Sequence, residues 1–450
     1  MLNYTNAYKD VSILDKFMAE VNLEESRKTS SFKELDVGYF ELLRNNPTYT
    51  RFWLSFLISN GGTWFNTIAV FVLVIDLTGS ELALGGILAL RMLAFAVPQP
   101  FTGMLADRYN RKKLMIIANL LSAIVALGLI FVNHSDQLIL LYILVFLLMG
   151  LHALAVPAER AILPSIVNEN ELLTANAIDT ATWSAMLGLG CAIGGFVTSK
   201  YGVDVAFIVD SISFVIAAIL ISTISIPQKE KEKPKGSIIK NGFNEIIQGW
   251  KYILSKKEIF RLVFAKSVWT IGGGGLVFLI VLVGDEIGLG DFAVGIGIMF
   301  LARAIGVGIG PLISKSLFKD KQKWKYLVGL LITISGIFYF IFGLVEWSLL
   351  SISLIIFSHA ASGSNWVLSN VMLQERVPDE WLGRVFASDL LLMASFNAAS
   401  AFIASIVVDQ GYFDLRQAIL VFAMLQIIIG LLFSVWMVKG FDKESRMNFN

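Results

Sequence analysis

The long apolar stretches of this chain contain charged residues, and we single out four whose charge needs a chemical explanation. Arg91 and Arg303 fall near the middle of two stretches, and Asp210 and Asp389 fall nearer the ends of two others. A charge at membrane depth is costly and commonly faces a bundle interior or a wet cavity. We therefore expect the arginines to meet an anionic substrate or a titrating carboxylate; the alternative is a packed, carbonyl-bonded structural role. For the aspartates we favour the structural role, because water or a neighbouring helix reaches a carboxylate near a membrane face.

Polar and aromatic side chains recur in three of the apolar stretches and are candidates for substrate contact. They are Asn60, Thr63, Trp64 and Asn66 in the first stretch, Trp269 in the seventh, and Asn365 and Trp366 in the tenth. Aromatic walls with a few polar groups suit a large amphipathic ligand. Helix–helix packing is the alternative for each of these residues.

The composition indicates a membrane protein without metal or redox chemistry. Hydrophobic residues make up 56% of the 450 residues and charged residues only 16%, against about 25% in an average soluble domain. The one cysteine, Cys191, excludes an intramolecular disulfide and a Cys-rich metal site. The three histidines show no ligand spacing. We expect no cofactor, no metal, no catalytic residue and no nucleic-acid partner.

The apolar runs repeat at the length of about 20 residues that a bilayer-spanning helix needs. We predict twelve spans near 52–75, 82–104, 114–132, 138–158, 174–199, 205–226, 260–283, 292–314, 326–345, 348–372, 385–408 and 418–438. Lys and Arg concentrate in every second connection, as in residues 108–113, 229–257, 315–325, 376–384 and 439–446. Because such residues accumulate in cytoplasmic loops, both termini are predicted to be cytoplasmic, in a multi-pass protein of the plasma (cell) membrane.

Internal similarity divides the spans into two halves. Arg91 and Arg303 occupy matching places in the second and eighth spans, and Glu159-Arg160 matches Glu375-Arg376 at the ends of the fourth and tenth. The fold class predicted is an all-α membrane protein with twelve transmembrane helices in two pseudo-symmetric six-helix halves. Its parts are a cytoplasmic N-terminal segment (1–50), the first half (51–226), a linker with an amphipathic helix (227–258), the second half (259–438) and a tail (439–450).

The charged turn between the second and third spans reads Gly103-Met-Leu-Ala-Asp107-Arg108-Tyr-Asn-Arg111-Lys-Lys. It resembles the signature loop of the major facilitator superfamily, whose members move solutes without covalent chemistry. The resemblance implies that spans 1, 4, 7 and 10 line a cavity. It also implies a conformational gate of Gly103, Asp107, Arg108, Arg111 and Arg384, in which Asp107 meets Arg384 when the cytoplasmic side closes. The alternative is that Asp107 only reverses the chain.

A second stretch resembles the macrolide and siderophore exporter branch of that superfamily. It runs Gln374-Glu-Arg-Val-Pro378-Asp-Glu-Trp-Leu-Gly-Arg384-Val-Phe, and the resemblance extends over residues 50–438. Two positions depart from the branch pattern. Thr63 stands where an acidic residue is common, which argues against a proton site in span 1. Cys191 stands in the place of a proline that exporters tend to have in span 5.

We therefore expect an exporter of a small amphipathic compound, such as a drug, natural product or siderophore, that works by proton antiport and alternating access. Its expected partners are the substrate, protons and the lipid bilayer, and we expect a monomer. A lysophospholipid flippase or nutrient importer of the same fold is one alternative. A non-transporting membrane sensor is another. The chain has no nucleotide-binding motif, which argues against direct use of ATP.

Overall fold

The computed structural model describes residues 37–226, 237–317 and 320–447, and their regular structure is entirely helical. Most of the predicted N-terminal segment and the polar start of the linker lie outside these residues. The α-helices are α1 (Tyr39–Asn45), α2 (Pro47–Thr78), α3 (Glu81–Ala96), α4 (Gln99–Arg108), α5 (Arg111–Gly128), α6 (Leu138–Ile166), α7 (Leu172–Tyr201), α8 (Val203–Ser222), α9 (Ile238–Ser255), α10 (Lys257–Glu286), α11 (Phe292–Leu317), α12 (Trp324–Leu344), α13 (Ile352–Arg376), α14 (Asp379–Asp409) and α15 (Leu415–Met447).

Twelve helical rods account for the predicted spans. Eleven stretches of the described residues are long and apolar enough to cross a membrane. They are α2, α3 with α4, α5 to α8, α10 to α12, α14 and α15. The twelfth rod is α13, whose 25 residues are long enough but include many serines. It packs against α11 and α12, which cover its polar side chains. The predicted fold class is confirmed.

The second span is broken in the middle by prolines. α3 ends at Ala96 and α4 begins at Gln99, with Pro98 between them and Pro100 in the first turn of α4. A proline has no backbone N–H and its ring clashes with the preceding turn, so a continuous α-helix is disfavoured there. α3 packs on α14, α4 contacts α9, and both parts contact α6.

The halves meet along one part of their length. α3 packs on α14, and α7 packs on α11. Glycines allow the close approach: a Cβ on Gly195 would lie 2.3 Å from the carbonyl oxygen of Ala293, and one on Gly297 would lie 2.7 Å from that of Cys191. We call this part the closed end. It includes Ser80, whose hydroxyl donates to the carboxylate of Asp409 in the other half at 2.7 Å.

The other end, which we call the basic end, carries the signature turn at 108–113, and there the linker helix lies between the halves. α9 contacts α4 of the first half and α14 of the second. The ring of Phe243 meets Phe101 edge-on at 5.4 Å, and Tyr252 stacks on Trp381 at 4.7 Å. The sequence predicts an amphipathic helix within the linker of residues 227–258. It starts at Ile238 and ends at Ser255, and Lys257 already belongs to α10.

Candidate functional site

The predicted contact residues of α2 are mostly turned into the protein. Asn60 and Thr63 donate to carbonyl oxygens of their own helix, those of Phe56 and Ser59. Trp64 is half-buried and meets Trp183 edge-on at 6.0 Å. Of the four α2 candidates, Trp64 therefore keeps the most accessible surface.

Asn66 and Arg91 belong to a buried polar group in the first half, the N-half cluster (Asn66, Thr67, Arg91 and Asp210). The amide of Asn66 donates to the carboxylate of Asp210 at 2.5 Å, and a guanidinium nitrogen of Arg91 donates to the hydroxyl of Thr67 at 2.6 Å. Arg91 and Asp210 interact electrostatically. The cluster joins α2, α3 and α8, so both predicted alternatives, a carboxylate partner and a packed structural role, are compatible with its geometry.

Gly62 makes room for the carboxylate of this cluster. A Cβ at this position would lie 2.6 Å from the Oδ1 atom of Asp210 and 2.1 Å from the hydroxyl of Ser213. No side chain fits there without displacing α8, so the glycine sets how closely α2 and α8 pack. The close approach puts the Asn66 amide within hydrogen-bond reach of Asp210.

Arg303, the matching arginine of the second half, is half-buried in α11. Its guanidinium carbon lies 5.5 Å from the ring centroid of Phe300, and its Nε atom has no hydrogen-bond partner among the described residues. Nearby, the hydroxyl of Tyr339 shares a hydrogen bond of 2.8 Å with His359. Trp269 meets the same histidine edge-on at 5.9 Å. The Nε atom is buried, so the structure shows an unsatisfied donor inside the second half and not one exposed to a ligand.

A buried ion pair in the second half contains a residue that the sequence analysis did not select. The ammonium of Lys266 in α10 pairs with the Oδ2 atom of Asp389 in α14. Their side chains are only 5% and 1% exposed. Asp389 was assigned a structural role from its position near a membrane face. The sequence feature that could have identified Lys266 is its position as a lysine ten residues into an apolar span.

Other polar and aromatic groups complete the surroundings of this C-half ion pair (Lys266 and Asp389). The Nζ atom of Lys266 donates to the amide oxygen of Asn370 at 2.7 Å. It lies 4.8 Å from the ring centroid of Trp366 and 5.4 Å from that of Phe386. The Oδ1 atom of Asp389 has no hydrogen-bond partner among the described residues.

The two predicted α13 candidates differ in accessibility. Asn365 is buried, and its amide donates to the carbonyl of Ala265 at 3.4 Å. Trp366, by contrast, is 45% exposed. Because its ring also covers Lys266, a ligand touching this indole would stand one side chain away from the ion pair.

The signature turn ties the first half together at the basic end. Arg111 donates to the carbonyl of Ala161 in α6 at 2.8 Å and pairs with Asp107 at 3.3 Å. Lys112 donates to the carbonyls of Ser222 and Ile224, both at 2.7 Å, at the end of α8. A Cβ on Gly103 would meet nothing within 4 Å.

Among the described residues, Asp107 and Arg384 of the predicted gate form no ion pair with each other in this structure. Arg384 lies over the ring of Trp381 at 5.0 Å, while Asp107 pairs with Arg111. The backbone of Arg384 instead faces Gly249 of the linker helix, where a Cβ would lie 2.9 Å from its carbonyl oxygen. The linker helix therefore stands beside the segment that the gate would have to close.

Curated proteins similar to this chain include exporters. Macrolide efflux protein A of Streptococcus pyogenes is 26% identical over 332 residues, covering 71% of this chain and 79% of that protein. A putative bacilysin exporter, BacE of Bacillus subtilis, is 25% identical over 307 residues, covering 67% and 74%. YkuC of Bacillus subtilis, an uncharacterized MFS-type transporter, is 26% identical over 317 residues, covering 66% of this chain and 71% of that protein.

Solved structures of transporters share the fold at low sequence identity. PepTSo, a transporter of the POT family, has a TM-score of 0.69 and 11% identity, with 88% of this chain and 99% of that chain covered. A bacterial homologue of the human lysosomal transporter Spinster, in an inward-facing and unoccupied conformation, has a TM-score of 0.66 and 16% identity, covering 87% and 96%.

The sequence profile that matches the chain spans residues 52–405 and thus most of both halves. It begins in α2 and ends in α14, so it includes the signature turn, the N-half cluster and the C-half ion pair. The resemblance predicted from the signature turn is confirmed. The chain belongs to the Major Facilitator Superfamily, a family of multi-pass membrane transporters and not of enzymes.

Proposed function

We propose that this protein exports a small amphipathic compound from the cytoplasm in exchange for protons, by alternating access. The observation that carries the proposal is the one-sided closure of the bundle. Backbones of the two halves touch at the closed end, whereas the linker helix lies between them at the basic end. Two halves that are in contact at one end can separate there and come into contact at the other end, as alternating access requires.

The orientation follows from the charges of the connections. Lys and Arg accumulate on the cytoplasmic side of membrane proteins, and this supports a basic end in the cytoplasm and a location in the plasma membrane. We infer that the present state, with the halves in contact at the closed end, is the one that opens towards the cytoplasm. This state receives the compound to be exported, and closure of the basic end would bring Asp107 towards Arg384.

The proposed substrate surface combines indole rings with a few polar donors. Trp366 is exposed and Trp64 is half-buried, and the half-buried Arg303 adds a positive charge. An apolar wall with few polar groups fits a large amphipathic molecule. The named activities of two relatives, macrolide efflux and bacilysin export, support export of a natural product.

Transport into vesicles tests the proposal. The purified full-length chain is reconstituted in liposomes, and uptake of a radiolabelled macrolide is followed with and without an imposed pH gradient. Uptake that needs the gradient and collapses with a protonophore is expected. Uptake that ignores the gradient would contradict proton antiport. Flipping of a fluorescent lysophospholipid in place of macrolide uptake would favour the flippase alternative.

The orientation has its own measurement. Cys191 is buried and is replaced by alanine, and single cysteines are then introduced at Lys112 or Ser135. An impermeant thiol reagent should label the two positions from opposite sides of the membrane. Labelling of both from one side would overturn the twelve-span topology.

The arginines supply a prediction within the same assay. Arg303→Gln and Arg91→Gln should each abolish macrolide flux while leaving expression and detergent stability near normal, because both lose a charge that meets the substrate or a carboxylate. Lysine at either position should rescue only in part, since it lacks a bidentate donor. Normal flux in both glutamine variants would remove the arginines from the mechanism.

A further inference from the structure

We propose that the C-half ion pair is the coupling site of this transporter and that the ligand taken by Asp389 is a proton. Binding of that proton would break the ion pair and release Lys266. The inference rests on the proposed function and adds to it the residue that carries the coupling ion.

The geometry of the pair is that of a built site between three helices. Lys266 comes from α10, Asp389 from α14, and Asn370 with Trp366 from α13. The ammonium is held by a carboxylate oxygen, an amide oxygen and the face of an indole. These contacts provide partners for the ammonium group of Lys266. The carboxylate of Asp389, by contrast, has one oxygen, Oδ1, without a hydrogen-bond partner among the described residues.

That unpartnered oxygen indicates where the proton would go. Water does not solvate the charge of a carboxylate that is 1% exposed as it solvates a carboxylate at the surface. Most buried polar atoms have a hydrogen-bond partner, and an exception needs an explanation. A proton on Oδ1 removes the charge of Asp389, and it costs none of the contacts that this oxygen makes in the present state.

Among the described residues, Lys266 is the ion-pair partner of this carboxylate. From α13 the site receives neutral Asn370, and from the linker helix α9 it receives the backbone of Gly249, packed on Ser388. α3 also packs on α14, but its charged interior residue, Arg91, bonds to Thr67.

Breaking the pair has consequences for the helices that hold it. Removing one partner of a buried ion pair leaves an uncompensated charge and is strongly unfavourable. Once Asp389 is protonated, the ammonium of Lys266 must therefore reach water or another anion. Because the three helices belong to one half and Trp366 covers the lysine, that movement would change both the packing of the half and the surface offered to substrate.

The N-half cluster is less suited to this role. Asp210 accepts from the amide of Asn66 at 2.5 Å, while its other oxygen lies 3.5 Å from the hydroxyl of Ser213, which donates to the backbone carbonyl of Asp210 at 2.7 Å. Its helix, α8, packs on α2 and α5 and not on the second half.

The test measures a pH response of the protein without any substrate. Cys191 is replaced by alanine, and spin labels are attached to cysteines at Lys113 and Lys257, one in each half at the basic end. The distance distribution in liposomes is recorded at pH 8 and pH 5. The wild-type background should shift between the two pH values, and Asp389→Asn should give the low-pH distribution at both.

Two further variants keep the test decisive if Asp389→Asn folds poorly. The double variant Lys266→Met with Asp389→Leu replaces the pair by apolar groups, which is often neutral or stabilising, and it should lose the pH response. Asp389→Glu should retain the response with a shifted midpoint. Glu375→Gln, which removes a carboxylate from the exposed pair with Lys321, is the matched control and should respond like the wild type.

The outcomes separate this inference from the proposed function. A pH response that persists in Asp389→Asn or in the double variant would overturn the coupling role and leave a structural ion pair. A background that does not respond to pH would overturn it as well. A normal, Asp389-dependent response in a chain that carries no macrolide would instead contradict the proposed export and leave the proton site standing.

Discussion

The two ends of the bundle hold the halves together by different means. At the closed end, glycines bring backbone against backbone, as at Gly195 and Gly297. At the basic end, the contact runs through the linker helix and depends on rings, with Tyr252 on Trp381 and Phe243 against Phe101. Backbone contacts tolerate almost no added volume, whereas the rings at the basic end are side chains that can adopt other rotamers. The two ends therefore differ in how much added volume they tolerate.

The largest effect is expected from adding volume at the closed end. Gly297→Leu would push the α11 backbone away from the carbonyl of Cys191, and overpacking of this kind costs about 1–3 kcal/mol. Macrolide flux should fall by about tenfold or more, because each 1.4 kcal/mol changes an equilibrium about tenfold. The label distance between positions 113 and 257 should shorten as the basic end closes.

Gly308→Leu is the matched control for this substitution. It lies on the same helix, but a Cβ on Gly308 would have no neighbour within 4 Å. Flux and label distance should remain close to those of the unsubstituted chain. Equal behaviour of the two leucine variants would show that close packing at Gly297 does not decide which end is closed.

An intermediate effect is expected from separating the linker helix from α14. Tyr252→Ala removes a stacked pair, and such pairs contribute about 0.5–1.5 kcal/mol beyond the area that they bury. The basic end should then close more readily, which again shortens the label distance. Trp381→Ala should act in the same way, and the double variant should add little to either single change. Additive effects of the two substitutions would mean that the rings act independently.

The smallest effect is expected at the signature turn. Asp107→Asn loses only an exposed pair with Arg111 in this state, so the stability of the open basic end should hardly change. In the closed state it would lose a contact at the start of α14, where a carboxylate contributes about 0.3–1 kcal/mol. Transport should slow and the population should shift towards the open basic end.

Crosslinking reports on that gate directly. Cysteines at positions 107 and 384 should crosslink more efficiently under conditions that close the basic end. The same efficiency under every substrate and pH condition would show that the contact is not a gate.

The positions of the spans could be predicted because each is a local property of the sequence. Twenty apolar residues between charged turns determine a membrane helix without reference to any other part of the chain. α13 shows the limit of hydropathy alone. Its serines and His359 lower the average, and only its place between α11 and α12 makes it a buried rod.

The ion pair could not be predicted, because it depends on which helices become neighbours. Asp389 was noticed and Lys266 was not, and no local pattern links α10 to α14. The contact between Asn66 and Asp210 is similar, since the two residues lie 144 positions apart in the chain. Residue types can identify a candidate, but the partner of that residue depends on tertiary packing. The role of a charged residue in turn depends on its partner.

The proline break in the second span has a mechanical consequence. α3 is held to the second half, whereas α4 touches the linker helix through Phe101 and leads into the turn that binds α6 and α8. A single stiff rod would transmit every force from the linker to the seal between the halves. With the break at Pro98, we expect a pull on the linker helix to act first on α4 and on the turn after it. The contact of α3 with α14 should respond less directly.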